Sequence, residues 1–286
     1  MNNEELKMKN LKFAISYLAS CILHPVLSSL FFSLAMLDFL HSLPNEILFF
    51  GYFIILACTL LGALRMGKEY VVGVVAILAI LANVFVIKPY EMFGFLGSFS
   101  LFGKAFHFPL VTYGGNEMFG AIFLATNLLT EHFGKTEALK AVRAGFIALF
   151  LYFITATVYT SLTTASVGAE VGGAINTVFS PALGIVVASL TAFATSNTLD
   201  TYLYAFIKSH TGERHLWFRG NASTMVSQFV DTCIFSFIAV YFGFFDLSVV
   251  WGEIFFAYAF KIMMSIINTP FLYLSKWTQT VGRGGN

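Results

Sequence analysis

Polar and ionisable side chains recur at helical spacing inside four of the long apolar segments of this chain. Residues three or four positions apart lie on the same face of an α-helix, so each set predicts a polar stripe along one helix. Carboxylates and amides in such stripes can bind a small polar molecule, because they hold hydrogen-bond acceptors and donors in fixed positions. The four sets are Asn127 and Glu131; Ser196, Asn197 and Asp200; Thr224, Ser227, Gln228 and Asp231; and Lys261, Ser265 and Asn268.

The ionisable members of these sets point most directly to function. A charged side chain inside a transmembrane helix costs roughly 2.5–3.5 kcal/mol on insertion scales, so it usually faces the bundle interior and marks a site or pathway. At about 1.5 Å per residue, Asp200 and Asp231 each lie roughly 12–14 Å from the inner end of their segment, near mid-membrane. We predict that one of them pairs with Lys261. Two alternatives stay open: the stripes only hold helices together, or Glu131 is simply solvated at the inner boundary.

Other chemistries find little support in the sequence. The six histidines are scattered and form no HExxH motif, and Cys21, Cys58 and Cys233 lie in apolar segments without a CxxC pair. Neither a Walker A loop nor a GxSxG motif is present. Metal binding, disulfides, ATP hydrolysis and nucleophilic catalysis each require such a pattern. We therefore expect no catalytic residue, no metal and no cofactor.

The composition places these stripes in a membrane protein. Of the 286 residues 58% are hydrophobic and only 11% are charged, and the mean hydropathy is +0.80. A soluble domain is about 25% charged, and a net charge of +1 gives no electrostatic reason to bind nucleic acid. An all-α polytopic fold is predicted, with eight apolar runs of spanning length at 11–37, 47–65, 70–88, 115–132, 141–162, 180–208, 222–244 and 250–275.

The positive charges predict the orientation of these eight spans. Lys and Arg collect on the cytoplasmic side of membrane proteins. With the N-terminus inside, 13 of the 16 Lys and Arg residues fall in inner segments, Lys88 and Lys104 fall outside, and Lys261 lies within a span. Both termini are therefore predicted to be cytoplasmic.

Two outer segments differ from ordinary loops. The segment 89–114 is rich in Gly and Phe, too broken for a spanning helix and too apolar for a solvated loop. We expect it to dip into the protein and cover a cavity from outside. The segment 163–179 is rich in Gly and Ala and is interpreted as a flexible outer lid.

Three stretches together resemble the queuosine precursor transporter family, also called the vitamin uptake transporter family. They are FGAIFLATNLLTEHFGKTEA (119–138), the region 180–243 with its SNTLDTYLYAFIK and LWFRGNASTMVSQFVDT motifs, and YAFKIMMSIINTPFLYL (258–274). The resemblance covers about residues 70–276 and implies a six-helix core like that of energy-coupling-factor substrate-binding subunits. Residues 1–69 would then be an additional N-terminal helix pair, and 277–286 a cytoplasmic tail.

The resemblance also implies a substrate. The family carries 7-deazaguanines: the 7-cyano and 7-aminomethyl precursors of queuosine, or the base queuine. A carboxylate suits the guanine-like edge of these bases, which presents ring and amino hydrogens. The implied substrate-binding residues are Asn127, Asp200, Asn221, Gln228, Asp231 and Lys261, and proton or ion coupling is assigned to Glu131, Asp200 or Asp231. Asn127 departs from the family, which usually has Asp at that position.

The leading interpretation is import of such a base across the inner membrane of a bacterium, with the lipid bilayer and a small molecule as partners. A second is a substrate-binding subunit for another heterocyclic vitamin, driven by a separate ATPase module. A third is a membrane-embedded enzyme, which the missing catalytic motifs disfavour.

Overall fold

The computed structural model describes residues 36–94, 98–101, 104–107, 110–179, 183–212, 214–243, 246–247 and 250–283. The first predicted span, 11–37, lies outside these residues apart from its last two positions. Within the described part the fold is mainly helical, as predicted. The helices are α1 (Asn45–Met66), α2 (Lys68–Phe85), α3 (Asn116–Phe133), α4 (Lys135–Ser161), α5 (Ala169–Phe179), α6 (Leu183–Thr211), α7 (Leu216–Tyr241) and α8 (Val250–Arg283).

Three of these helices extend well beyond their predicted bounds. α4 and α7 each begin six residues earlier than the apolar runs that predicted them, and α8 ends eight residues later. The extra turns of α4 and α8 are rich in charged and polar residues, and that of α7 contains Arg219 and Gly220. An apolarity criterion leaves such residues out although they are compatible with a helix. In α4, for example, Lys140 Nζ donates to Glu137 Oε1 at 2.8 Å within the first turns.

The chain divides into two compact units, residues 1–48 and 49–286. Of the first unit, the structure describes a helical stretch at 36–41, a turn, and the first residues of α1. The second unit holds all the other helices and strands, and every candidate site residue lies in it.

In its described residues, the segment 89–114 contains four short strands. β1 (Pro89–Met92) pairs with β4 (Leu110–Tyr113), and β2 (Ser98–Leu101) pairs with β3 (Lys104–His107), both antiparallel. This segment does not cross the membrane as a helix, in agreement with prediction, whereas its role as a cavity cover stays a prediction. The segment 163–179, which was interpreted as a flexible outer lid, contains a 3₁₀ turn (Ser166–Gly168) followed by α5, and its role as a lid stays a prediction.

Apolar side chains form exposed stripes on the helices, as expected for a protein surface that contacts lipid. On α4, Ile147, Leu151, Ile154 and Val158 follow one face and are 46–64% exposed. α1, α2, α4 and α7 are long and apolar enough to cross a bilayer, and a fifth span results if 166–179 and 184–211, which meet at a 48° bend, are taken as one. The chain is therefore a multi-pass membrane protein. Its eight spans, orientation and six-helix core stay predictions.

The helix α3 occupies the centre of the second unit. It packs against α2, α4, α6 and α8, and 14 of its 18 residues are buried. Its start is fixed by Gly115, which has φ = 88° and lies so close to α2 that a Cβ atom would sit 2.4 Å from the Ala82 carbonyl oxygen. A side chain at this position would clash with α2, so glycine allows the chain to turn from β4 into α3.

Gly145 lies where α4 crosses α2 and α6, and replacing it with Ala is expected to destabilise the protein. A Cβ atom there would lie 2.7 Å from Phe193 Cζ and 3.3 Å from Val75 Cγ1, and both neighbours are buried. Overpacking of this kind typically costs about 1–3 kcal/mol. The matched control is Gly62→Ala in α1, where a Cβ atom meets nothing within 4 Å. It should stabilise by about 0.5–1 kcal/mol through helix propensity alone. Denaturant titration in mixed micelles measures both variants, and equal changes would contradict the close crossing.

Candidate functional site

The polar stripes of α3, α6, α7 and α8 form three groups within the bundle. The Asp200 cluster consists of Thr126, Asn127, Asp200 and Thr224. The Asp231 pair consists of Asp231 and Lys261, joined by Ser196. The Glu131 cluster consists of Glu131, Tyr204, Lys208, Arg219 and Lys276.

The Asp200 cluster joins α3, α6 and α7 at the centre of the bundle. Asp200 has no exposed surface, and it lies 17 residues after the first residue of α6 and 11 before the last. Its Oδ1 accepts a hydrogen bond from Thr224 Oγ1 at 3.1 Å, and its Oδ2 accepts one from Thr126 Oγ1 at 3.4 Å. Thr224 in turn accepts from Asn127 Nδ2 at 3.0 Å. No Lys, Arg or His in the described part of the chain forms a salt bridge with Asp200.

Buried amide oxygens without a hydrogen-bond partner are concentrated on the same four helices. An unpartnered buried acceptor costs about 1–3 kcal/mol, and native structures contain few of them. In the part of the chain that is described, these atoms are the side-chain oxygens of Asn127, Asn197, Gln228 and Asn268. With the Asp200 carboxylate they leave the core rich in acceptors, and such a core suits a ligand that brings hydrogen-bond donors or positive charge.

The Asp231 pair lies on the α6, α7 and α8 side of the bundle and is less enclosed. Lys261 Nζ lies 2.6 Å from Asp231 Oδ2, and the two side chains are 18% and 19% exposed. Ser196 Oγ donates to the other carboxylate oxygen at 2.8 Å. Lys261 therefore pairs with Asp231 and not with Asp200, which decides between the two partners that the sequence allowed. The pair combines an acceptor and a donor that a polar ligand could reach.

Asn221 is engaged between α7 and α8 and has no hydrogen bond to the other candidate residues. Its Nδ2 donates to Thr269 Oγ1 at 2.7 Å and to the Trp217 carbonyl at 2.8 Å. Its Oδ1 accepts from Ser265 Oγ at 3.0 Å. These contacts link the two helices, so a contact to a ligand would require Asn221 to exchange one of them.

Glu131 is buried at the centre of its cluster, and the alternative of a solvated Glu131 was wrong. The Glu131 side chain is 3% exposed and its Oε1 lies 2.5 Å from Arg219 Nη2. Tyr204 OH donates to Oε2 at 2.9 Å, and Lys208 and Lys276 lie 3.6 Å and 3.4 Å from the carboxylate. One carboxylate thus meets three cations from α6, α7 and α8.

Arg219 was predicted to be a cytoplasmic loop residue, but it lies in the first turn of α7 and its side chain has no exposed surface. Its Nη1 donates to the carbonyls of Gly212 and Arg214 at 2.7 Å and 3.2 Å. The guanidinium therefore holds the turn between α6 and α7 as well as Glu131. The sequence does contain a signal for this position: the apolar run Leu216–Trp217–Phe218 directly before Arg219 indicates that the helix begins before the arginine.

Thr126, Tyr204 and the contact between β1 and α3 were not predicted from the sequence. There, Tyr90 OH donates to Glu117 Oε1 at 2.9 Å. Burial and the neighbouring Glu117 carboxylate raise the pKa of the Tyr90 hydroxyl well above its usual value. The hydroxyl therefore stays protonated at every physiological pH and holds the strand segment to the start of α3.

Known proteins are similar to this chain over most of the region described above. The sequence profile of a family described as "Putative vitamin uptake transporter" matches residues 113–275. The chain is 34% identical over 228 residues to a Bacillus subtilis (strain 168) protein named "Probable queuosine precursor transporter". That alignment covers 79% of this chain and 90% of the relative. No solved structure matches the chain.

Proposed function

The chain belongs to the vitamin uptake transporter family, and from this premise we propose that it imports a queuosine precursor across the bacterial inner membrane. Family membership makes it a membrane transporter rather than an enzyme. The match to the Bacillus subtilis protein over 79% of the chain carries the proposed substrate class. The proposed substrates are the 7-cyano and 7-aminomethyl 7-deazaguanines and queuine.

The polar groups of the core suit such a base. The guanine-like edge presents N–H donors from the ring and from the amino group, and a carboxylate accepts both. Asp200 and Asp231 would supply the carboxylates, and the unpartnered oxygens of Asn127 and Gln228 would supply further acceptors. Lys261 would supply the donor that the carbonyl oxygen of the base requires. Asn221 would join the site by exchanging one of its bonds to α8.

The transport path follows from the predicted topology. We place both termini in the cytoplasm and residues 89–114 over the outer mouth. Residues 70–276 would form the transporting core, residues 1–69 an added helix pair, and residues 277–286 a cytoplasmic tail. The base would then bind between the last helices near mid-membrane, because Asp231 lies 15 residues from the first residue of α7 and 10 from the last.

Uptake in cells is the primary test. In a bacterial strain that cannot make the precursor, expression of this chain should restore queuosine in tRNA when each of the three bases is supplied in turn. Restoration requires both the chain and the base, and the preferred base is the one effective at the lowest concentration. A well-expressed protein that restores no queuosine with any of the bases would contradict the proposal.

Proteoliposomes that contain only this chain test the energy source. Accumulation of labelled base without an added ATPase would exclude the ATPase-driven binding subunit. Binding without transport, with transport appearing only when an ATPase module is added, would instead support that subunit.

A further inference from the structure

The three acids among the candidate site residues differ in whether they have a cation beside them. Glu131 lies beside Arg219, Lys208 and Lys276, and Asp231 lies beside Lys261. Asp200 has no cation within salt-bridge distance among the described residues, although it is the most deeply buried of the three. An ionised carboxylate without a counter-charge is costly in an apolar interior. Asp200 therefore lacks the positive partner that the other two acids have.

The atoms around Asp200 are oxygens from three helices. The Thr224 hydroxyl donates to the carboxylate at 3.1 Å. The Thr126 hydroxyl lies 3.4 Å from the carboxylate and 3.0 Å from the Phe123 carbonyl oxygen, which share its one hydrogen, and both hydroxyl oxygens keep lone pairs. The Asn127 amide donates to the Thr224 hydroxyl through its nitrogen, and its oxygen belongs to the same planar amide group. That oxygen has no partner, and Asn127 is 1% exposed. Carboxylate, hydroxyl and amide oxygens are the ligands that hard cations prefer.

We infer that the Asp200 cluster, Thr126, Asn127, Asp200 and Thr224, binds a sodium ion. This inference rests on the proposed function, since the ion would couple to import of the base, and it refines the site: Asp200 and Asn127 would hold the ion, while Asp231, Gln228 and Lys261 would contact the base. The single carboxylate balances one positive charge, whereas a divalent ion would leave a net charge buried. A proton on Asp200 would balance the charge as well, but it could not also satisfy the Asn127 oxygen. One sodium ion with several oxygen ligands would both balance the charge of Asp200 and give the Asn127 oxygen a partner.

The position of the Asp200 cluster in the bundle explains how a bound ion would act on the substrate. The cluster joins α3, α6 and α7, and Gln228 lies one helical turn after Thr224 on α7. An ion held by all three helices fixes Gln228 and Asp231 relative to α3, so less conformational freedom is lost when the base binds. Sodium should therefore raise the affinity for the base, by about tenfold for a typical coupling of 1.4 kcal/mol. By linkage the base should raise sodium affinity by the same factor.

Sodium binding is tested on the purified full chain without base. The thermal unfolding midpoint is measured while NaCl replaces choline chloride at constant ionic strength, and again with KCl. We expect a saturable rise with Na⁺ that is absent with K⁺ and choline. Asp200→Asn should abolish the rise. The matched control is Glu117→Gln, which neutralises another buried carboxyl, one that is bonded to Tyr90, and should keep the rise.

A second variant keeps the test decisive if Asp200→Asn does not fold. Asn127→Asp retains an oxygen ligand and adds negative charge, so it should saturate at a lower Na⁺ concentration than the natural chain. The inference is overturned if K⁺ is equally effective, if Na⁺ has no effect, if Asp200→Asn keeps the rise, if Glu117→Gln loses it, or if Asn127→Asp leaves saturation unchanged.

Base binding measured in Na⁺ and in choline separates this inference from the proposed function. Binding of a 7-deazaguanine that is equally tight in both salts, without a sodium-dependent midpoint, overturns the sodium site and supports the proposed function. A sodium-dependent midpoint without binding of any of the three bases supports the ion site and overturns the substrate assignment.

Discussion

Replacing Asp231 with Asn is expected to weaken binding of the 7-deazaguanine base by about 30-fold or more. Asn keeps the shape of the side chain but removes the charge opposite Lys261, which lies 2.6 Å from the carboxylate. The carboxylate is proposed to accept hydrogen bonds from N–H donors of the base, and a hydrogen bond to a charged group contributes about 1.5–3 kcal/mol. Because both side chains are nearly one-fifth exposed, the lower half of this range applies, and about 2 kcal/mol corresponds to about 30-fold. Isothermal titration with the purified protein measures the affinity.

The matched control for this substitution is Asp246→Asn. Asp246 lies outside the helices and is exposed, so its neutralisation should leave the affinity unchanged. Lys261→Gln and the double variant complete a thermodynamic cycle. If the two residues act as a pair, the double variant should lose much less than the sum of the single losses. An unchanged affinity in Asp231→Asn would remove Asp231 from the binding site.

Replacing Arg219 with Met is expected to lower the free energy of unfolding by about 3–5 kcal/mol. Breaking a fully buried ion pair from one side has this magnitude, because the remaining charge is left without its closest partner. The substitution also removes the donors that hold the Gly212 and Arg214 carbonyls. Denaturant titration in mixed micelles gives the free energy of unfolding.

Two comparisons show whether the loss comes from the buried pair. Lys208→Met removes a cation from the same carboxylate, but the lysine is 29% exposed and 3.6 Å away. Lys208→Met should lower the free energy of unfolding by about 1 kcal/mol or less, as expected for the loss of a partly exposed ion pair. Adding Glu131→Leu to Arg219→Met should recover part of the loss, since no fully buried charge of the pair then remains, and Lys208 and Lys276, which also contact Glu131, are partly exposed. Equal losses for Arg219→Met and Lys208→Met would contradict the assignment of Arg219 as the principal partner of Glu131.

The helices and their polar stripes could be predicted from the sequence because each depends on local spacing. Ser196, Asn197 and Asp200 share a face of α6 wherever α6 packs, and a long apolar run predicts a helix without knowledge of its neighbours. Local spacing did not predict that Arg219 lies in a helix and is buried. A charge near the end of an apolar run is normally a loop residue, and only the approach of Glu131 from α3 explains its burial.

Contacts between helices could not be predicted, since they depend on how distant segments pack. Nothing local distinguishes Asp231 from Asp200 as the partner of Lys261, and the bond from Asn127 to Thr224 joins residues 97 positions apart. The strand pairs in 89–114 were missed for a related reason. Their Gly- and Phe-rich sequence lacks the strict alternation of a half-buried strand, and strand pairing requires a partner.

The burial of α3 has a consequence for how the chain enters the membrane during synthesis. This helix carries Glu117, Asn127, Glu131 and His132, and it is not among the segments apolar enough to span a bilayer by themselves. A translocon that passes helices to lipid one at a time would release α3 only at a high cost. We expect α3 to wait beside α2 until the more apolar α4 has emerged, so that the three leave together. α3, which is largely buried in the finished protein, is thus poorly able to insert alone.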